Sequence, residues 1–306
     1  MILGEINSAI TLLGRFVEML ANTLKRRKAR PVASVAQRFV HLFEAHGVRR
    51  NQIPRVLGHN LALSDLVDDA SLLAKLTEPV LDAACSLFGV RREWLDGAGQ
   101  EPYARNTFYK YPGNFQRFID ELRSARPDAE LTGYLVVPEK PAPEDEAFLI
   151  LAEAIAYLGD VTVYRYYVCD TWIYDYWKSR AYLTACVAIA WKNDVYVIGR
   201  HANRRELSIL AESGNLPGPV LDRLELSGKR WYAEDLALRP DLYLQGVDPE
   251  TDSFGVISAL QLWLNLDNDG WMDIGSQLTV RPEFEAKLET YITNENPRGP
   301  ALAMPE

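Results

Sequence analysis

The sequence predicts an α+β protein, with an all-α front followed by a mixed α/β domain. Three observations predict it. Residues 47–97 read as short apolar repeats broken by Gly47, Gly58, Gly89 and Gly97, the punctuation of a run of short helices. Beyond residue 130, segments of period two intermix with segments of helical period. The chain has 306 residues, more than a single small core needs, so two domains are expected.

The totals bound the class. With 48% apolar and 25% charged residues, the composition is that of an ordinary globular protein. No apolar run is long enough to span a bilayer. Residues 1–24 are apolar on one side only, and their basic cluster follows the apolar part, the reverse of a signal peptide. Cys85, Cys169 and Cys186 are widely spaced, which argues against a disulfide framework and fits a reducing cytoplasm. The net charge of −9 is uneven. Residues 1–130 hold 18 Lys+Arg and 15 Asp+Glu, whereas residues 131–306 hold 15 and 27. A mildly basic front with an acidic rear suits a nucleic-acid module followed by something else, although a surplus of three charges is a weak argument.

The elements follow in order. Residues 3–28 read as one amphipathic helix, with Ile6, Ile10, Leu13, Val17, Leu20 and Leu24 on one face. It ends in Lys25, Arg26, Arg27, Lys28 and Arg30, and Pro31 stops it. Packing on the body, pairing with a second chain and lying on a membrane surface all compete for it, and Glu5 and Glu18 count against the last. Ser34 opens the next helix, which carries Val35, Phe39, Leu42 and Phe43 to Gly47. Leu81, Ala84, Cys85 and Phe88 then recur at i, i+3, i+4, i+7 and lead into the stretch LFGVRREWLDG.

These residues resemble the lambda-repressor-like (Cro and phage repressor, Xre-type) helix-turn-helix family over about residues 33–97. The spacing of Gly47 and Gly58 is similar to that of the glycines bracketing the family's second helix, with Ile53 and Leu57 at its core positions. The Gly-Val and Trp-Leu of the closing stretch look like the family's last turn. The resemblance implies DNA binding, with Arg49, Arg50, Arg55, His59 and Asn60 as the contacts. Two departures matter. Pro54 stands where the family has a small residue, so the second helix should shorten to begin near it. The segment that should read bases carries Asp65, Asp68 and Asp69 and no Lys or Arg before Lys75. Carboxylates repel phosphate, and base edges call for Arg, Lys, Asn or Gln. That helix is therefore expected either to be buried or to bind protein, with 65–69 as the candidate contact.

The chain then passes through a polar stretch with Tyr103, Phe108, Tyr109 and Tyr111, a helix over 114–125 and a linker at 124–130. In the second half we expect a strand at 131–137, a helix at 144–158 and a strand at 161–168. A hairpin is expected from 180–191 and 195–200 around Lys192-Asn193-Asp194, with helices from Asn203, at 253–264 and at 281–291. The domains are thus an N-terminal helix at 1–30, a helical domain at 31–125, a mixed α/β domain at 131–293 and a mobile tail at 294–306. Tyr164, Tyr166, Trp172, Tyr174 and Tyr176 form an aromatic run that suits either a packed strand or a ligand pocket. Asn265, Asp267, Asp269 and Gly270 resemble half of a calcium loop, but Ser276 stands where the closing Glu belongs, so an Asp-Gly turn is the better reading. His201 suits a surface position better than a general base. The sequence shows no zinc spacing, no glycine-rich phosphate loop and no cofactor signature.

Two functions follow as expectations. One is a cytoplasmic, homodimeric, DNA-binding transcription regulator whose C-terminal domain dimerises or senses a ligand. The alternative is a degenerate helix-turn-helix module that binds protein and reads no bases. Neither requires enzymatic chemistry; a third reading, an enzyme in the C-terminal half, has no motif in the sequence to carry it.

Overall fold

The computed structural model describes residues 34–212, 214–227, 229–248, 255–276 and 278–295. The expected N-terminal helix and nearly all of the expected tail lie outside the described residues.

The front is a run of short helices. In α1 (Val35–Glu44), Ser34 accepts from the Gln37 amide at 3.2 Å while Gln37 accepts from the Ser34 amide, a reciprocal cap at the helix start. A 3-10 turn at Arg50–Gln52 leads into α2 (Ile53–Leu57), with Pro54 inside its first turn. There proline costs no hydrogen bond, and the helix is short as expected. A second 3-10 turn, Leu63–Leu66, precedes α3 (Asp69–Leu73). Then come α4 (Glu78–Phe88) and α5 (Arg92–Asp96). Phe39, Phe43 and Phe88 meet at the centre, with ring centroids 5.0 and 4.9 Å apart. Each is fully buried, a contribution of roughly 1.5–3 kcal/mol per side chain.

The rear is built on one mixed sheet. Helix α6 (Pro112–Ala125) precedes the strands β1 (Leu131–Pro138), β2 (Glu146–Leu158) and β3 (Val161–Ile173). These three form an antiparallel meander. Helix α7 (Trp177–Lys192) crosses over to β4 (Tyr196–Ala202), which pairs parallel to β1 with Leu135 opposite Gly199. After α8 (Arg204–Ala211) and α9 (Gly218–Leu226), the short β5 (Arg230–Tyr232) closes the order β3-β2-β1-β4-β5. The helices α10 (Asp235–Leu238), α11 (Pro240–Leu244), α12 (Val256–Asn268) and α13 (Arg281–Glu295) complete the described chain. The fold is α+β with a mixed sheet.

Two sequence expectations are corrected here. Residues 144–158 are not a helix, because β2 occupies them. Both faces of β2 are covered, Ala147, Leu149 and Leu151 on one side and Phe148, Ile150 and Ala152 on the other. A strand buried on both faces loses its alternation and reads as a continuous apolar run. The expected hairpin is likewise replaced. Residues 177–192 form α7, buried nearly all round, and Asn193 is its C-cap rather than a hairpin turn. A helix apolar on every side gives no helical stripe to recognise.

The packing also redraws the domain plan. Phe115 and Ile119 of α6 share a core with Leu131, Leu135 and Leu183, so α6 belongs to the sheet rather than to the helical front. The front itself shares a core with the opposite sheet face, joining Phe43 and Phe88 to Val136, Ile150, Val163 and Tyr166. A third core lies beyond α7, where Trp263 stacks on Phe284 at 3.6 Å.

Candidate interaction surface

The helical front packs one side against the sheet, and the residues expected to touch DNA are mostly exposed. Arg49, Arg55, His59 and Asn60 are exposed, and Arg50 is half-buried. Gly58, His59 and Asn60 take φ of 72°, 52° and 56°, three left-handed residues in succession. Glycine and asparagine tolerate this region, and the tight reversal carries Leu61 back into the core.

Arg50 is committed internally. Its Nε donates to the Leu66 carbonyl at 2.7 Å and its Nη1 to Asp69 at 2.9 Å. It therefore ties the 3-10 turn before α2 to the acidic segment instead of presenting a free charge to a phosphate. The others in the set, Arg49, Arg55, His59 and Asn60, are exposed.

The helix that should read bases does not form as one piece. Asp65 accepts from the Ala62 amide at 2.9 Å, and Asp68 accepts from the Ser71 amide at 2.7 Å. Carboxylates that bond nearby backbone compete with helix continuation, so the segment breaks into a 3-10 turn and the five-residue α3. The Ser71 amide holds the Asp68 carboxyl below the usual carboxylate range. Leu66 and Leu72 point into the core, yet Leu63, Val67 and Leu73 are 65%, 76% and 52% exposed. Three large apolar side chains and three carboxylates thus occupy the place of a groove-reading surface.

The charge count changes meaning once the front is divided. Residues 34–97 hold seven Lys+Arg against eight Asp+Glu, whereas residues 1–33 hold six against two. The basic surplus lies before α1, not in the folded module.

The other side of the front is welded to the sheet. Gly218 opens α9 so close to α1 that a Cβ there would stand 1.9 Å from the Ala45 carbonyl oxygen. Arg165 of β3 donates to the Ser86 carbonyl in the last turn of α4, and its Nη1 lies 3.9 Å from the buried carboxylate of Glu153. A cation suits that helix end. Sequence reasoning passed over His46, which sits at this joint. Its Nδ1–H donates to the Leu42 carbonyl at 2.7 Å, and the Tyr103 hydroxyl donates to Nε2 at 2.8 Å. The carbonyl fixes the tautomer, since it can only accept. Phe88 and Tyr166 flank the ring at 4.2 and 5.4 Å. Burial pushes the His46 pKa from 6.5 down to about 4.

The aromatic run does not converge on one place. Tyr166, Trp172 and Tyr174 are buried, while Tyr164 and Tyr176 are half-buried. They divide between the two sheet faces, Tyr164 and Tyr166 toward the helical front, Trp172 and Tyr174 toward α6 and α7. Plain alternation would keep Tyr164, Tyr166 and Trp172 on one face; the register shift of β3 opposite Phe148 and Ile150 moves Trp172 to the other, and Tyr174 and Tyr176 lie beyond the strand. Tyr174 packs under the buried Arg180 guanidinium at 3.7 Å. The calcium-like stretch is the end of α12. Asp267 pairs with Arg281 at 2.7 Å, and Asp273 pairs with Lys192 at 2.9 Å. No cluster of three metal-binding side chains occurs among the described residues. Nor, among them, is any helix long and apolar enough to cross a membrane.

No protein-family model matches the chain, and no curated protein or solved structure is significantly similar to it.

Proposed function

We propose that this chain is a protein-binding scaffold whose front is a degenerate module of the lambda-repressor-like kind. The position of the base-reading helix is given over to a partner protein. One observation carries this reading: Leu63, Val67 and Leu73 are exposed beside Asp65, Asp68 and Asp69. Apolar side chains exposed together mark contact with protein more often than with a polyanion. The carboxylates oppose every phosphate approach. The internal commitment of Arg50 removes the cation best placed to offset them. The partner complementary to this surface is a segment with Leu, Ile or Phe on one side, flanked by Lys or Arg.

The test uses the full chain and a labelled amphipathic Leu/Lys peptide, with fluorescence anisotropy as the readout. The peptide should bind in a salt-sensitive way. Val67→Asp with Leu73→Ser should weaken it at least tenfold, and Arg49→Ala with Arg55→Ala should not. Peptide affinity indifferent to Val67 and Leu73 would reject the proposal. The competing reading is a DNA-binding regulator whose α/β part dimerises or senses a ligand, and it rests on the exposed Arg49 and Arg55.

A further inference from the structure

The face that carries Leu63, Val67 and Leu73 is bordered by charge of one sign. From Ala62 to Leu73 the chain holds three Asp and no Lys or Arg. Asp69 is answered by Arg50 at 2.9 Å, and Asp65 by Lys75 at 4.0 Å. Asp68 is exposed and accepts from the Ser71 amide, and among the described residues no basic side chain stands at ion-pair distance from it. One stretch of the same chain has the opposite character. Residues 1–33, outside the described residues, carry six Lys+Arg against two Asp+Glu. Ile10, Leu13, Val17, Leu20, Ala21 and Leu24 recur there at helical spacing, and Lys25, Arg26, Arg27, Lys28 and Arg30 follow at once. No other six-residue window of the sequence holds five cations. An apolar stripe that runs into a cluster of cations complements apolar side chains set among carboxylates.

The connection brings the two together. Only Pro31, Val32 and Ala33 separate Arg30 from Ser34, a span of at most about 14 Å. Ser34 caps α1, and α1 packs against α3, which carries Asp69 and Leu73. The cations therefore leave the folded body close to the acidic face. We propose that the partner seated on this face is residues 10–30 of the same chain. Leu13, Val17, Leu20 and Leu24 cover Leu63, Val67 and Leu73, and the cations that follow meet Asp68 and Asp69. This rests on the protein-binding reading of the face and adds its regulation: an external partner must displace the chain's own segment. The contact is intramolecular, because a short connection holds the segment at an effective concentration on the order of millimolar.

Cross-linking and peptide binding in the full chain test it together. Ala70 is exposed on α3, and the native cysteines are buried. The double variant Ala21→Cys with Ala70→Cys should link within one chain through a short bismaleimide. Replacing Lys25, Arg26, Arg27, Lys28 and Arg30 with Gln should lower that yield several-fold. Ala21→Cys paired with Tyr232→Cys, exposed on β5, sets the background. A 21–70 yield no higher than this background would overturn the proposal, and so would links found only between two copies. The five-Gln chain should also bind the Leu/Lys peptide at least tenfold more tightly than the parent. Peptide that binds through Val67 and Leu73 with the same affinity in both chains would overturn this inference and leave the protein-binding reading standing. Peptide indifferent to Val67 and Leu73 even in the five-Gln chain would reject both. Unchanged thermal midpoints would show that the variants fold.

Discussion

The two sides of the helical front differ in how their polar groups are spent. On the sheet side Ala45 presses on Gly218, His46 is held between Leu42 and Tyr103, and Arg165 caps α4 while its Nε is left without a partner. On the free side the carboxylates bond their own backbone neighbours, Arg50 and, for Asp65, Lys75 at 4.0 Å, and three large apolar side chains face water. The difference teaches where function resides. A module that shares its core with a sheet does not swing on a linker, so its unspent surface is the one available for recognition.

Four perturbations sharpen this contrast, from the largest effect to the smallest. Gly218→Ala drives a Cβ into the Ala45 carbonyl, a backbone atom that cannot rotate away. It should cost about 3 kcal/mol in denaturant unfolding. Acid should loosen the same joint. His46 is neutral when folded, with a pKa lowered from 6.5 to about 4. Its stabilising share is fully present above about pH 6.5 and is lost as the pH falls toward 4. The total loss is roughly 3 kcal/mol. His46→Phe should flatten that part of the pH–stability curve; a curve of unchanged slope would contradict the assignment. On the free side, Asp68→Ala removes the cap of α3 and should cost about 1 kcal/mol. Val67→Ser should change stability by less than about 0.5 kcal/mol, whereas its buried neighbour Leu66→Ala should cost about 2–4 kcal/mol. Equal costs at 66 and 67 would mean that the outer face is not free.

How much of this was legible follows from periodicity. The front was readable because its helices are short, amphipathic and glycine-punctuated, as in Val35, Phe39, Leu42 and Phe43. β1 and the N-cap at Asn203 announced themselves by alternation and by a capping side chain. β2 and α7 did not, because burial on all sides erases the period that identifies an element. The candidate surface was half legible. The acids at 65, 68 and 69 warned against base reading, but the break in the helix and the outward turn of Leu63, Val67 and Leu73 depend on side-chain hydrogen bonds no pattern displays. The aromatic run Tyr164–Tyr176 divides between two faces because of a register shift in β3 that its even spacing did not announce.

The most direct measurement of the central claim is selection of random duplex DNA by the full chain at low and at moderate salt. The account predicts no enriched sequence at either salt, with any residual binding lost as salt rises and unaffected by Arg50→Ala. A single enriched site, retained at moderate salt and lost on Arg49→Ala with Arg55→Ala, would contradict it.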